Sequence, residues 1–238
     1  MSAVAGPDGR LRCPWGATDD DLYRDYHDTE WGQPLHGRNE LYERLCLEAF
    51  QSGLSWITIL RKRDSFRRAF AGFDPELVAR FGDADVERLM NDASIVRNRL
   101  KIDAAVSNAR AIVDFDDTDL DTLLWSFAPK PRPARLTEFS DVPASTPEST
   151  ALAKELKRRG LRFVGPTTAY ALMQATGMVD DHLSGCWVQV VNTDSGSRYR
   201  RRSGRIGDNT RRPATKLSFW PRRRAGGRRS GGSRGWRR

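Results

Sequence analysis

The chain has 238 residues, 38% of them hydrophobic, so it is long enough to bury a sizeable core in one or two domains without disulfide support. Its apolar runs are short and no basic-then-apolar leader opens it, which argues against a membrane span and a secretory signal. Three cysteines, Cys13, Cys46 and Cys186, are an odd number spread along the chain, a pattern that does not indicate a disulfide framework. We therefore expect a soluble, cytoplasmic protein that acts as a monomer.

The net charge of +9 is confined to one end of the chain. Residues 192–238 contain 16 Lys+Arg and 2 Asp+Glu, a net charge of +14, whereas residues 1–191 contain 24 and 29, a net charge of −5. The basic part is poor in aliphatic residues and rich in Gly, Ser and Arg, so we expect it to be disordered. We predict a helical domain over residues 11–191 and a basic low-complexity tail over residues 192–238. The tail is either a solvated extension or an arm that binds DNA phosphates without sequence preference.

Helical periodicity runs from Asp19 to Gly177. Leu41, Leu45 and Glu48 share one face of a helix that Gly53 ends, and Ser55 is placed to cap the next. The remaining elements up to residue 127 are predicted as a helix from Trp56 to Phe70, two short helices opened by Asp74-Pro75 and by Asp83, a helix from Asn98 to Val113 and a shorter one from Asp119 to Phe127.

Five prolines between Pro129 and Pro147 predict an irregular surface connection. Beyond it we expect helices over Glu148–Arg159 and Pro166–Thr176, the second ended by Gly177. No convincing strand pattern is present. The predicted fold class is therefore all-α.

Four of the six Cys and His residues fall into two paired groups, Cys13 with His27 and His182-x3-Cys186. Two Cys and two His supply the four ligands of a closed tetrahedral zinc site, which would join the two ends of the helical body. The alternative is an exposed helix histidine at position 27 and a buried thiol at position 186. Cys46, in an apolar run, is predicted to be a core thiol.

The segment Gly160-Leu-Arg-Phe-Val-Gly165, followed by Pro166-Thr167-Thr168, has the form of a helix-hairpin-helix turn. Free amides at the start of its second helix could bind a DNA phosphate, with Gly165 allowing close approach. An ordinary corner between two helices is the alternative.

Several motifs together resemble the DNA-3-methyladenine glycosylase I family, over roughly residues 11–187. The motifs are Cys13-Pro-Trp-Gly16, Tyr23-x2-Tyr26-His27-Asp28-x-Glu30-Trp31-Gly32, Leu47-Glu48-x2-Gln51-x-Gly53-Leu54-Ser55-Trp56, Phe163-Val-Gly165 and Asp181-His182. The resemblance implies a helix-hairpin-helix glycosylase that removes 3-methyladenine from double-stranded DNA, with one structural Zn²⁺ on Cys13, His27, His182 and Cys186.

In that family the substrate base is flipped out of the duplex and stacked in a pocket. The resemblance assigns Glu48 to hydrogen bonding with the base and Tyr23, Tyr26 and Trp56 to aromatic walls. Taken alone, a residue such as Trp56 is more often part of the core, and one such as Glu48 is more often a surface acid. However, a carboxylate among apolar neighbours costs several kcal/mol unless it has a partner, which favours a functional role.

Two positions refine the expected mechanism. Thr167 stands where related bifunctional enzymes have a Schiff-base lysine, so we expect hydrolysis by water and no strand cleavage. Asp180, where the family commonly has Asn, could restore a catalytic carboxylate. The main alternative function is a zinc-stapled DNA-binding module without catalysis. A zinc hydrolase is disfavoured because four Cys/His ligands would leave the metal no open position.

Overall fold

The structure is a computed structural model that describes residues 1–190. The predicted tail, residues 192–238, lies outside the described residues. Within residues 1–190, nine α-helices form most of the body: α1 Asp21–Thr29, α2 Arg38–Gln51, α3 Trp56–Ala69, α4 Pro75–Val78, α5 Asp83–Asn91, α6 Arg99–Val113, α7 Leu120–Trp125, α8 Pro147–Arg158 and α9 Pro166–Ala175.

The helices begin where capping residues predict. Side-chain oxygens accept hydrogen bonds from free amides at five starts: Asp20 from Tyr23, Asp74 from Glu76, Asn98 from Lys101, Asp119 from Thr122 and Thr146 from Ser149. Ser55 precedes α3 as predicted, but its hydroxyl contacts the Thr58 hydroxyl at 2.8 Å rather than a backbone amide. The predicted helix bounds are therefore confirmed to within one or two residues.

The core centres on α2, which packs against α3, α6, α7 and α9. Almost every α2 side chain from Leu41 to Phe50 is buried, including Cys46, as predicted for a core thiol. Burial of each large apolar side chain stabilises the fold by about 1.5–3 kcal/mol. Because α2 is surrounded, any polar group on its inner face is held away from solvent, and Glu48 is such a group.

The proline-rich connection is irregular, apart from a single 3-10 turn at Phe139–Asp141. Helices α8 and α9 pack on each other and are joined by residues 159–165. Gly177 follows α9 with φ +72°, and a Cβ there would lie 2.6 Å from the carbonyl carbon of Gln33. Glycine at this position thus permits both the turn and the close approach of the chain after α1.

The expectation of no strands is wrong at the N-terminus. Val4–Ala5 (β1) pairs antiparallel with Leu11–Arg12 (β2), and the Trp187 amide donates to the Leu11 carbonyl at 2.9 Å. Two-residue strands are too short for an alternating pattern, so sequence periodicity cannot reveal them. This ribbon extends the folded body N-terminal of residue 11. No helix within residues 1–190 is long and apolar enough to span a membrane.

Candidate active site and metal centre

The structure brings the four predicted metal ligands into one buried cluster. Cys13 follows β2, His27 is on α1, and His182 and Cys186 follow α9. Their Sγ and ring nitrogen atoms all lie within 4.8 Å of one another. Each side chain is at most 5% exposed, so the alternative of an exposed His27 is wrong.

The distances in the cluster fit a tetrahedral ion. Cys186 Sγ lies 3.5 Å from His182 Nδ1 and 3.8 Å from His27 Nε2, and Cys13 Sγ lies 3.8 Å from His182 Nδ1. Zinc bonds of about 2.3 Å to sulfur and 2.0–2.1 Å to nitrogen give a sulfur–nitrogen separation of about 3.6 Å in a tetrahedron. The donor set and its spacing therefore suit a zinc ion, and the cluster could hold one.

Each imidazole is also held by a contact of its second ring nitrogen, the one that does not face the sulfur atoms. His27 Nδ1 is 2.8 Å from Asp28 Oδ1, and His182 Nε2 is 3.0 Å from the Trp31 carbonyl oxygen. Arg12, which is 1% exposed, holds Asp28 in turn through hydrogen bonds of 2.7–3.1 Å. Such outer partners fix the tautomer and ring orientation of metal-binding histidines.

Electrostatics favour a ligand role for Cys186, and packing favours one for His27. Hydrogen bonds from the Cys13 thiol and from both imidazoles lower the pKa of Cys186, which favours the thiolate. At Gly16 a Cβ would lie 2.3 Å from the His27 ring. A side chain at that position would displace the imidazole, so the glycine of the Cys13–Gly16 motif serves the cluster directly.

A cavity of about 360 Å³ lies beside this cluster. Seven of its lining residues are aromatic, and they include the three predicted residues Tyr23, Tyr26 and Trp56. The Tyr26 and Trp56 ring centroids are 5.3 Å apart. Two tryptophans that the sequence analysis did not assign, Trp15 and Trp31, add further walls, and the Trp15 ring is 5.1 Å from Tyr23 and 5.0 Å from Trp31.

Glu48 lines the same cavity and is 6% exposed. Among residues 1–190 no hydrogen-bond donor contacts its carboxylate. Burial raises the pKa of Glu48 to about 7, although the positive charge of Arg44 opposes the rise. The indole nitrogen of Trp56 is buried and has no hydrogen-bond partner in this part of the chain. A free acceptor and a free donor thus belong to side chains of one aromatic cavity.

The sequence-predicted Asp180 does not line this cavity. It lines a separate groove of about 750 Å³, where its carboxylate pairs with Arg135 Nε at 2.9 Å and accepts from the His182 amide at 3.1 Å. Its neighbour Asp181 lines the aromatic cavity instead. The Asp181 carboxylate, which is fully buried, accepts from the Tyr170 hydroxyl and Gln174 Nε2, both at 2.7 Å, and pairs with Arg132.

The turn between α8 and α9 places the three predicted phosphate-binding residues at one helix start. Gly165 occupies the N-cap position, and Thr167 and Thr168 follow Pro166 in the first turn. A Cβ at Gly165 would meet nothing within 4 Å, so packing does not require a glycine there. Thr167 also lines the aromatic cavity, which puts this helix start next to it.

Trp15, Trp31, Tyr170 and Asp181 are cavity residues that sequence reasoning missed. Trp15, Trp31 and Asp181 lie inside quoted motifs, each within four residues of a metal ligand, so their position was a usable signal. Tyr170 reaches the cavity only through the packing of α9 against α2. No local pattern announces that contact.

Comparison with known proteins agrees with this arrangement. Residues 15–189 match the family model described as methyladenine glycosylase. The DNA-3-methyladenine glycosylase 1 of Escherichia coli K12 is 47% identical over 178 residues, which are 74% of this chain and 95% of that protein. The corresponding enzyme of Haemophilus influenzae is 43% identical, over 74% of this chain and 96% of its own.

A solved structure shares the fold. The 3-methyladenine DNA glycosylase I of Staphylococcus aureus, whose structure concerns recognition of 3-methyladenine, superposes with a TM-score of 0.69 at 36% identity. The match covers 72% of this chain and 93% of that one. The helical body therefore has the 3-methyladenine glycosylase I fold. The chain belongs to the methyladenine glycosylase family.

Proposed function

We propose that the protein is a DNA N-glycosylase that hydrolyses the N-glycosidic bond of 3-methyladenine in alkylated double-stranded DNA, as a step of base-excision repair. The observation that carries this proposal is the buried carboxylate of Glu48, which no hydrogen-bond donor of residues 1–190 contacts, in an aromatic cavity of about 360 Å³. Two relatives, aligned with this chain over 95% and 96% of their own lengths, are named DNA-3-methyladenine glycosylases, which supports the proposal.

The cavity suits a flipped, positively charged purine. A base methylated at N3 is cationic while it is attached to the sugar, so it gains from aromatic faces and from a nearby carboxylate. Tyr23, Tyr26 and Trp56 supply the faces, and Glu48 supplies a hydrogen-bond acceptor with negative charge. Neutral adenine gains less from either contribution, so the same groups discriminate against undamaged DNA.

The reaction needs little acid catalysis because the leaving group is already activated. Water adds to C1′ of the sugar while the bond from C1′ to the base breaks. The bonding electron pair leaves with the base, which departs as neutral 3-methyladenine, and the water proton passes to solvent. Thr167 offers no amine for a Schiff base, so the abasic strand stays uncut.

The start of α9 is the proposed contact with the DNA backbone. The amides of Thr167 and Thr168 lie in the first turn of that helix, where amides have no intrahelical partner. The helix dipole adds positive potential at this end, and the open space at Gly165 leaves room for a phosphate. Because Thr167 also borders the cavity, a phosphate held here would be close to the flipped nucleotide.

Cys13, His27, His182 and Cys186 are the residues that would hold one zinc ion. An ion closed by four protein ligands contributes folding free energy and has no position for substrate. It would fasten the N-terminal ribbon and the segment after α9 to α1. We further propose that the protein works as a monomer in the cytoplasm, with a basic tail over residues 192–238 that is either a solvated extension or a nonspecific DNA-binding arm.

Incubation with methylated duplex DNA tests the proposal. Free 3-methyladenine should appear in the supernatant, and the strand should break only after alkali treatment of the abasic sites. DNA binding without base release would instead favour the non-catalytic DNA-binding module. Strand breakage without alkali would contradict the hydrolytic mechanism.

A further inference from the structure

Arg44 is a buried cation directly behind two walls of the aromatic cavity. Its side chain is only 8% exposed. The guanidinium carbon lies 5.4 Å from the Tyr26 ring centroid and 5.8 Å from that of Trp56. Arg44 does not itself line the cavity. It therefore acts on a ligand only through the groups that do.

The polar contacts of Arg44 leave part of its charge uncompensated. Its Nη1 donates to the Tyr26 hydroxyl at 3.2 Å, and its Nη2 lies 3.5 Å from Glu30. Glu30 is held more closely by Arg63, at 2.8 Å. Among residues 1–190, Glu30 is the one carboxylate that pairs with Arg44, and Arg44 shares it with Arg63. Part of the positive charge of Arg44 is therefore available to other buried groups.

Glu48 is the buried group whose ionised form the positive charge of Arg44 can stabilise. The two residues are four apart on α2, which puts both on one face of the helix. No ion pair of 4 Å or less joins them, so the interaction acts over a longer distance through a poorly polarisable interior. Desolvation favours the neutral form of Glu48, whereas the positive charge of Arg44 favours the ionised form.

The other titratable groups around Glu48 do not supply this charge. Tyr23 and Tyr26 from α1 and Tyr170 from α9 all have a raised pKa because of burial, so they are neutral near pH 7. Asp181, the second carboxylate of the cavity, is paired with Arg132. Arg63 from α3 is occupied by Glu30.

The geometry points to Arg44 as a positioning residue that favours the ionised form of the Glu48 carboxylate and holds the Tyr26 ring in place, and so gives the cavity its preference for a cationic purine. This inference rests on the proposed function and deepens it. A protonated Glu48 would donate a hydrogen bond and carry no charge, so a cationic base would lose its partner. The aromatic rings separate the ligand from Arg44, so the nearest charge it meets is negative.

Arg44→Met tests this, with Arg44→Lys as the charge-conserving variant and Arg38→Met as a matched control. Arg38 opens the same helix but pairs with Glu76, away from the cavity. Two measurements are made: the Glu48 titration midpoint from side-chain carbon NMR, assigned by Glu48→Gln, and single-turnover base release from methylated DNA against pH. Arg44→Gln replaces Arg44→Met if the latter does not fold.

In Arg44→Met the Glu48 midpoint should move to higher pH. Base release at pH 7 should fall roughly fivefold and recover as the pH is raised, since removing the positive charge of Arg44 raises the pKa of the buried carboxyl and leaves less of it ionised at pH 7. Arg44→Lys and Arg38→Met should keep the wild-type midpoint. An unchanged midpoint in folded Arg44→Met or Arg44→Gln would overturn the inference even if the wild type releases base. If the Glu48 midpoint shifts in Arg44→Met but the wild-type protein releases no base, the proposed function is contradicted instead.

Discussion

Asp180 and Asp181 are adjacent in the chain, yet their carboxylates belong to different cavities. Asp180 pairs with Arg135 in the groove of about 750 Å³, and Asp181 is buried against the aromatic cavity, where Tyr170 donates to it. Of the two, only Asp181 is in a position to influence a bound base. The direction of each side chain, rather than its presence in the motif, decides its role.

Asp180→Asn and Asp181→Asn should therefore behave differently. Asp180→Asn loses a partly exposed ion pair, so we expect a cost of at most about 1 kcal/mol and base release within about twofold of wild type. Asp181→Asn leaves Arg132 without its carboxylate and weakens a buried hydrogen-bonded group, at about 2 kcal/mol or more. Chemical denaturation and single-turnover base release measure both effects. Loss of base release in a stably folded Asp180→Asn protein would support the catalytic role predicted from the sequence.

The metal centre gives a second prediction. Elemental analysis should find about one zinc per chain in wild type and in Cys46→Ala, a variant of a buried thiol outside the cluster. Cys186→Ala should lose the metal and several kcal/mol of unfolding free energy, because a structural ion contributes folding free energy. Its base release should fall only as far as its folded fraction falls. A metal-free protein that melts like the zinc-loaded form would refute the structural role.

Glu48 should make the protein less stable as the pH rises. Its pKa is raised from about 4.5 to about 7 by burial, so the folded state binds this proton more tightly than the unfolded state. The contribution of Glu48 to stability is therefore fully present below about pH 4.5, and it is lost as the pH rises to about 7. Glu48→Gln should stabilise the protein by about 3 kcal/mol at pH 8 and hardly at all at pH 4.5.

Glu40→Gln is the control for that measurement, since Glu40 is exposed on the same helix. Urea unfolding at several pH values gives the difference between each variant and wild type. A Glu48→Gln protein that gains no stability at pH 8 would mean that the carboxylate is solvated or partnered.

Removal of residues 192–238 should leave the folded body and its base release at low salt intact. Nonspecific DNA affinity should fall, and its dependence on salt concentration should become less steep, because fewer basic groups displace counterions. Binding isotherms at several salt concentrations provide the comparison. If the truncated chain failed to fold, the tail would belong to the core.

Much of this arrangement could be predicted from the sequence, because local signals set the helices. Asp, Asn and Pro at helix starts and Gly177 at a helix end act within a few residues, so their effects can be read along the chain. The four metal ligands were recognisable because Cys and His are scarce here and lie in family motifs. They come together as the sequence implied.

Contacts between distant segments were not predictable in this way. Three contacts depend on how elements pack: the pairing of β1 with β2, the hydrogen bonds from Arg12 to Asp28, and the position of Arg44 behind Tyr26. A single carboxylate can be recognised as unusual from its apolar neighbours. Which cavity it faces follows only from the folded chain.

The central claim is that the Glu48 carboxylate recognises the alkylated base, and single-turnover release of 3-methyladenine from methylated duplex DNA tests it most directly. Wild type, Glu48→Gln and the control Glu40→Gln are compared at equal DNA occupancy, with folding checked by circular dichroism. Loss of a charged hydrogen bond costs about 1.5–3 kcal/mol, so Glu48→Gln should release base roughly ten- to a hundredfold more slowly while Glu40→Gln matches wild type. Base release at the wild-type rate by a folded Glu48→Gln protein would contradict the account.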